Sequence, residues 1–131
     1  MTAAIGNKVG FDRSLRLLKA ADYKRVFDGA EFKVSHSNLL ILSRRNSYDY
    51  PRLGLVIAKK NVRFAVSRNR IKRLIRESFR HHQAELKGLD IVILARKGID
   101  RKDNPEISGL LIKQWQRLQQ RSQKSQTLPT P

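Results

Sequence analysis

Lys59–Arg80 reads KKNVRFAVSRNRIKRLIRESFR, and its pattern sets the frame for the rest of the chain. Nine of its residues are bases: Lys59, Lys60, Arg63, Arg68, Arg70, Lys72, Arg73, Arg76 and Arg80. Glu77 is the only acid, so this stretch holds +8 of a formal +17. Ile71, Leu74, Ile75 and Phe79 recur at helical spacing, with Ser78 and His82 on the same side. At about 100° per residue they cover one face of a helix, while Asn69, Arg70, Lys72, Arg73, Arg76 and Arg80 take the other. Arg68, Arg70, Lys72 and Arg73 crowd the first turns after a predicted N-cap at Ser67. Against the helix dipole each base there costs roughly 0.3–1 kcal/mol. A face built for solubility alone mixes its signs and puts acids first. Bases beside unpaired helix N–H groups instead make an anion-binding surface. Five arginines against one lysine between Arg68 and Arg80 suit two-pronged phosphate contacts.

The whole chain fits that reading. Its 131 residues make one domain with a modest core, and its mean hydropathy of -0.53 describes a charged surface. A pI of 11.2 points to nucleic acid first and an anionic membrane surface second. There is no apolar run of about 18 residues to span a membrane and no apolar core of a secretory signal at the N-terminus. The absence of cysteine excludes disulfides and thiolate metal sites and is consistent with the cytoplasm.

Outward from the basic stretch, residues 1–13 read as a flexible segment and 14–121 as a single α/β domain. A short apolar run at 15–18 leads into a predicted helix over Lys19–Gly29, where Tyr23, Val26 and Phe27 share a face. Pattern alone makes Tyr23 and Phe27 packing residues. Leu39–Leu42 reads as a strand, and Arg52–Lys60 as a second, joined by a link short enough to predict an antiparallel pair. Gly54 within the second strand marks a bulge or a close backbone approach. Leu89–Ala95, LDIVILA, is apolar apart from Asp90 and reads as a strand covered on both faces. Strand, basic helix and strand form a crossover whose usual hand is right-handed. Asp103 or Asn104, Pro105 and Glu106 open a last helix, predicted to about Arg121 with Trp115 as a core anchor. Residues 122–131, SQKSQTLPTP, read as a disordered tail.

No catalytic residue and no metal site emerges. His81 and His82 are adjacent on a helix and point about 100° apart, a poor chelating pair. The sequence has no phosphate-binding glycine loop and no nucleophile elbow. Asp100 and Asp103 fit helix capping. The chain reads as a binder whose affinity falls with salt. A basic helix by itself does not choose DNA or RNA. Strands beside an aromatic pair suit a single-stranded ribonucleotide.

RNRIKRLIRESFR, preceded by GLVIAKKNVRFAVS, resembles the signature of the protein subunit of bacterial ribonuclease P. RLLKAADYKRVF, PRLGL and DIVILARKG extend the likeness from roughly Arg16 to Leu118. The resemblance implies an α/β sandwich of α+β class in the order α-β-β-β-α-β-α. It also implies a small mixed sheet packed on helices and a left-handed crossover around the basic helix. One strand must then come from Glu31–Ser37, which pattern alone does not reveal. The implied role is accessory. The protein joins a catalytic RNA that uses Mg²⁺ to remove the 5′ leader of precursor tRNA, in the cytoplasm, with no DNA or membrane partner. The likeness places Arg68, Asn69, Arg70, Lys72, Arg73, Arg76 and Arg80 against the catalytic RNA. It places Tyr23, Phe27, Lys59 and Lys60 in a leader-binding cleft, where some members carry a further aromatic at the position of Ile41. A structural RNA-binding protein of the ribosome is the alternative that shares this charge and fold class.

Overall fold

Alternating side chains give the single sheet two faces, and each face takes its own helices. The computed structural model describes residues 15–17 and 19–127. The segment 1–13, expected to be flexible, and residues 128–131 lie outside the described residues. The elements are α1 (Ala20–Gly29), β1 (Phe32–His36), β2 (Leu39–Arg45), β3 (Arg52–Val56) and α2 (Ala65–His81). They continue with the short α3 (Gln83–Leu86), β4 (Leu89–Ala95), a 3-10 turn (Ile99–Arg101) and α4 (Asn104–Thr127). The two short turns apart, this is the expected order.

The sheet runs β1-β2-β4-β3. β1 pairs with β2 from Phe32↔Ser43 to His36↔Leu39, and β2 with β4 from Leu39↔Ala95 to Arg45↔Leu89, both antiparallel. β3 pairs with β4 in parallel, from Arg52↔Asp90 to Val56↔Leu94. The predicted pairing of the second and third strands is therefore corrected: β4 lies between them. LDIVILA is apolar on both faces, so burial is greatest when it is central. The β2–β3 link crosses the start of β4, where the Asn46 N–H donates to the Gly88 carbonyl at 2.8 Å. The third strand also ends at Val56 rather than Lys60, and Lys59 and Lys60 stand in the turn before α2.

On one face, Leu39, Ile41, Ile91 and Ile93 pack with Ile71, Ile75 and Phe79 of α2 and with Ile107, Leu111 and Trp115 of α4. At about 25 cal/mol per Å² this shared burial is the main force holding α2 in place. Trp115 is fully buried, as expected; its indole N–H donates to Ser78 Oγ at 2.8 Å, and its ring meets Phe79 edge-on at 6.1 Å. On the other face, α1 lays Val26 and Tyr23 over Leu42, Val56, Val92 and Leu94.

Both long helices begin or end away from the predicted position. α2 starts at Ala65 with Phe64 as N-cap in extended backbone, so Ser67 lies inside the first turn and caps nothing. Arg68 instead secures this start: its guanidinium donates to the carbonyls of Val62 (3.0 Å) and Arg63 (2.8 Å) and fastens the loop to the helix. α4 opens with a reciprocal capping box: the Glu106 N–H donates to Asp103 Oδ1 and the Asp103 N–H to Glu106 Oε1, each at 2.9 Å. It runs to Thr127, which corrects the expectation of a structureless segment from residue 122. Ser122 is buried, and its carbonyl accepts from Arg45 Nη2 at 3.0 Å, so tertiary contact extends the helix past its apolar stripe.

Candidate nucleic-acid interface

The two faces of α2 separate as the spacing requires. Ile71, Ile75 and Phe79 are fully buried, which leaves the opposite side outward. Asn69, Lys72, Arg73, Arg76, Glu77 and Arg80 line an open concavity of about 430 Å³ on that side. Its one acid is already engaged. Arg80 and His81 both hydrogen-bond the Glu77 carboxylate and hold its pKa below the usual carboxylate value. The side chains of Lys72 and Arg73 have no hydrogen bond or ion pair to any described residue. This face presents fixed positive charge with little to neutralise it, which is what a phosphate chain requires.

Arg68 and Arg70, predicted to stand on the same surface, are committed elsewhere. Arg68 holds the loop before the helix. Arg70 reaches across to the start of α4, donating to Asn104 Oδ1 (2.6 Å) and to the carbonyls of Asp100 (3.1 Å) and Lys102 (3.2 Å). Both guanidiniums thus satisfy backbone groups within the fold. The helix pattern does not separate them from Arg73, because periodicity reports a face and not which partner a long side chain reaches.

A second cavity, about 200 Å³, lies between α1, β3 and α2 and is lined by Arg16, Leu17, Tyr23, Leu53, Leu55, Lys72 and Arg76. Tyr23 lies over Gly54, where an added Cβ would come within 2.7 Å of the ring, and its hydroxyl accepts from the Leu55 N–H at 3.2 Å. Gly54 is thus a close approach, and its register with Val92 is unbroken by a bulge. Lys72 and Arg76 border both cavities, so the two surfaces meet along α2.

The four residues expected in one cleft are not gathered together. Phe27 is 43% exposed at the outer side of α1 and does not line the cavity with Tyr23. Lys59 and Lys60 are exposed in the turn leading to α2, also outside it. Arg16, which the pattern did not single out, does line it, held beside β3 by a bridge to Leu53. Ile41 is fully buried on the α2–α4 side, so no side chain at that position reaches the α1 side of the sheet.

Below the cavity Arg52 makes a two-pronged pair with Asp90, Nε to Oδ1 at 2.8 Å and Nη2 to Oδ2 at 2.7 Å, with Asp22 of α1 at 3.9 Å. The hydrogen bond from Arg52 to Asp90 raises the arginine pKa further above its ordinary value. These acids serve the fold. Among the described residues no three His, Cys, Asp or Glu side chains are grouped to hold a metal.

Residues 11–119 match the family model described as Ribonuclease P. The ribonuclease P protein component of Stutzerimonas stutzeri is 52% identical over 120 residues, covering 92% of both chains. That of Pseudomonas aeruginosa is 56% identical over 108 residues, covering 82% of this chain and 80% of the relative. The solved structure of the Staphylococcus aureus RNase P protein superposes with a TM-score of 0.73 at 30% identity, covering 79% of this chain and 94% of that one. With a basic α2 face, an adjoining aromatic cavity and this extent of likeness, the chain belongs to the ribonuclease P protein family.

Proposed function

We propose that the protein docks on the catalytic RNA of ribonuclease P through the outward face of α2 and guides the 5′ leader of precursor tRNA along the α1–β3 side. The observation that carries this reading is the shared border: Lys72 and Arg76 line both the basic concavity and the Tyr23 cavity. Asn69, Arg73 and Arg80 then meet catalytic-RNA phosphates and 2′-hydroxyls, while Tyr23 and Arg16 meet the leader near its junction. Phe27, Lys59 and Lys60 act further along the leader, from exposed positions where a flexible strand passes them in turn. Arg68 and Arg70 position this surface and support RNA binding through the frame they hold. Cleavage belongs to the RNA and its Mg²⁺. The protein's contribution is charge: neutralising phosphate repulsion between substrate and RNA lowers the Mg²⁺ concentration that assembly needs. Such a complex works in the cytoplasm, where precursor tRNA is made.

The test is reconstitution. With the cognate RNA and precursor tRNA at low Mg²⁺, adding the protein should raise the rate of leader removal well above that of RNA alone, and the effect should shrink as salt rises. An unchanged rate, or equal cleavage by the protein without RNA, would end this reading.

A further inference from the structure

Phe64 is the most exposed aromatic side chain among the described residues, at 59%. It stands seven residues before Ile71, so a helix begun one turn earlier would carry it close to the buried stripe of Ile71, Ile75 and Phe79. Its extended N-cap backbone (φ -91, ψ 137) leaves it in solvent instead. A single exposed hydrophobic residue is ordinary. Three features set this one apart. The Arg63 guanidinium lies 5.3 Å from the ring centroid and covers part of the ring by a cation–π contact. The Arg68 bonds to the Val62 and Arg63 carbonyls fix the peptides on its N-terminal side, so the ring is carried rigidly with α2. Between Lys59 and Arg76 there are eight bases and no acid.

That charge chooses the occupant. Val66, 75% exposed and two positions on, is the other large exposed hydrophobic of this stretch, and two apolar side chains among eight bases offer a protein partner little to cover. A lone flat ring, backed by a guanidinium and surrounded by cations, suits a flat group that carries phosphate beside it. We infer that Phe64 is a base-stacking residue: on assembly an unpaired base of the catalytic RNA lies on its open face, with Arg63 behind the ring. This rests on the reading that α2 docks on that RNA, and adds an interaction that neither charge nor the arginine face supplies.

Phe64→Trp provides the probe, because the protein's own single tryptophan, Trp115, is fully buried. Titrating catalytic RNA into the Phe64→Trp protein should quench the new indole by at least about half, whereas the unsubstituted protein changes little. Phe64→Ala and Phe64→Leu should each weaken RNA binding about tenfold, while Phe64→Trp binds like the unsubstituted protein. All three should unfold at the unsubstituted protein's urea midpoint. RNA bound at full affinity by Phe64→Trp without quenching, or undiminished binding by Phe64→Ala, overturns the inference and leaves the α2 docking reading intact. Quenching by precursor tRNA but not by catalytic RNA also overturns it, moving the ring to the leader. So does a spectral change with protein concentration alone, which would assign the ring to self-association. If the unsubstituted protein fails to bind the RNA at all, the docking reading falls and takes the inference with it.

Discussion

The first two turns of α2 and the turns after them carry the same residue types and do different work. Within the first two turns, Arg68 and Arg70 turn their guanidiniums to backbone carbonyls and to Asn104, closing the entry loop and tying α2 to α4. Beyond them, Lys72 and Arg73 make no such bonds to described residues and stand over an open concavity. An arginine near an orphaned carbonyl gives it a charged hydrogen bond, worth more than one in water. Away from such partners the same side chain stays hydrated and available. One helix thus builds its support and its outward basic face from the same residue type.

The largest effect should come from removing what both regions share. Phe79→Ala takes a fully buried ring from between α2 and Trp115 and should cost about 3–5 kcal/mol of stability in urea denaturation. RNA binding should be lost only in proportion to unfolding. A folded variant that binds no RNA would show that the frame and the surface are not separable.

Arg70→Ala against Arg73→Ala tests the comparison directly. Losing three hydrogen bonds at a half-buried guanidinium should lower stability by about 1–2 kcal/mol, after allowance for solvent. Arg73→Ala should leave stability within about 0.5 kcal/mol. It should instead reduce the slope of log K against log salt by about 0.7–0.9 for each phosphate left without its cation. Equal stability for the two variants would erase the distinction.

The smallest effect concerns Glu77. Its carboxyl pKa is lowered chiefly by hydrogen bonds from Arg80 and then His81, so protonation is favoured in the unfolded chain. The stabilising contribution is therefore present above the unfolded carboxylate range and lost as pH falls through the lower folded value. At neutral pH the group stays ionised and takes charge away from the concavity. Glu77→Gln should tighten catalytic-RNA binding by roughly two- to threefold at pH 7, read by titration at fixed salt. A weaker complex would mean that holding Arg80 in place matters more than the charge.

Much of the architecture was legible because its signals are periodic. Ile71, Ile75 and Phe79 repeat with the helix, LDIVILA is apolar on both faces, and Asp103 with Glu106 forms a local cap; each needs only near neighbours. β1 was not legible from pattern, because FKVSH is short and has one polar residue on its inward edge. Nor was β4 between β2 and β3, a pairing that depends on residues far apart in the chain. The basic helix was readable as a surface, whereas the division of its arginines was not. Likewise Tyr23 and Phe27 share a sequence spacing and separate in space, since α1 docks with Tyr23 over Gly54 and leaves Phe27 outside.

By itself the sequence determined the charge, the two faces of α2 and the absence of a thiolate site, because composition and periodicity are properties of the chain. Only the tertiary structure decided which cations are consumed by carbonyls, which aromatic lines the cavity and why Phe64 is in solvent. Those outcomes depend on where the ends of α2, α4 and β3 meet, and residue spacing carries no record of such meetings.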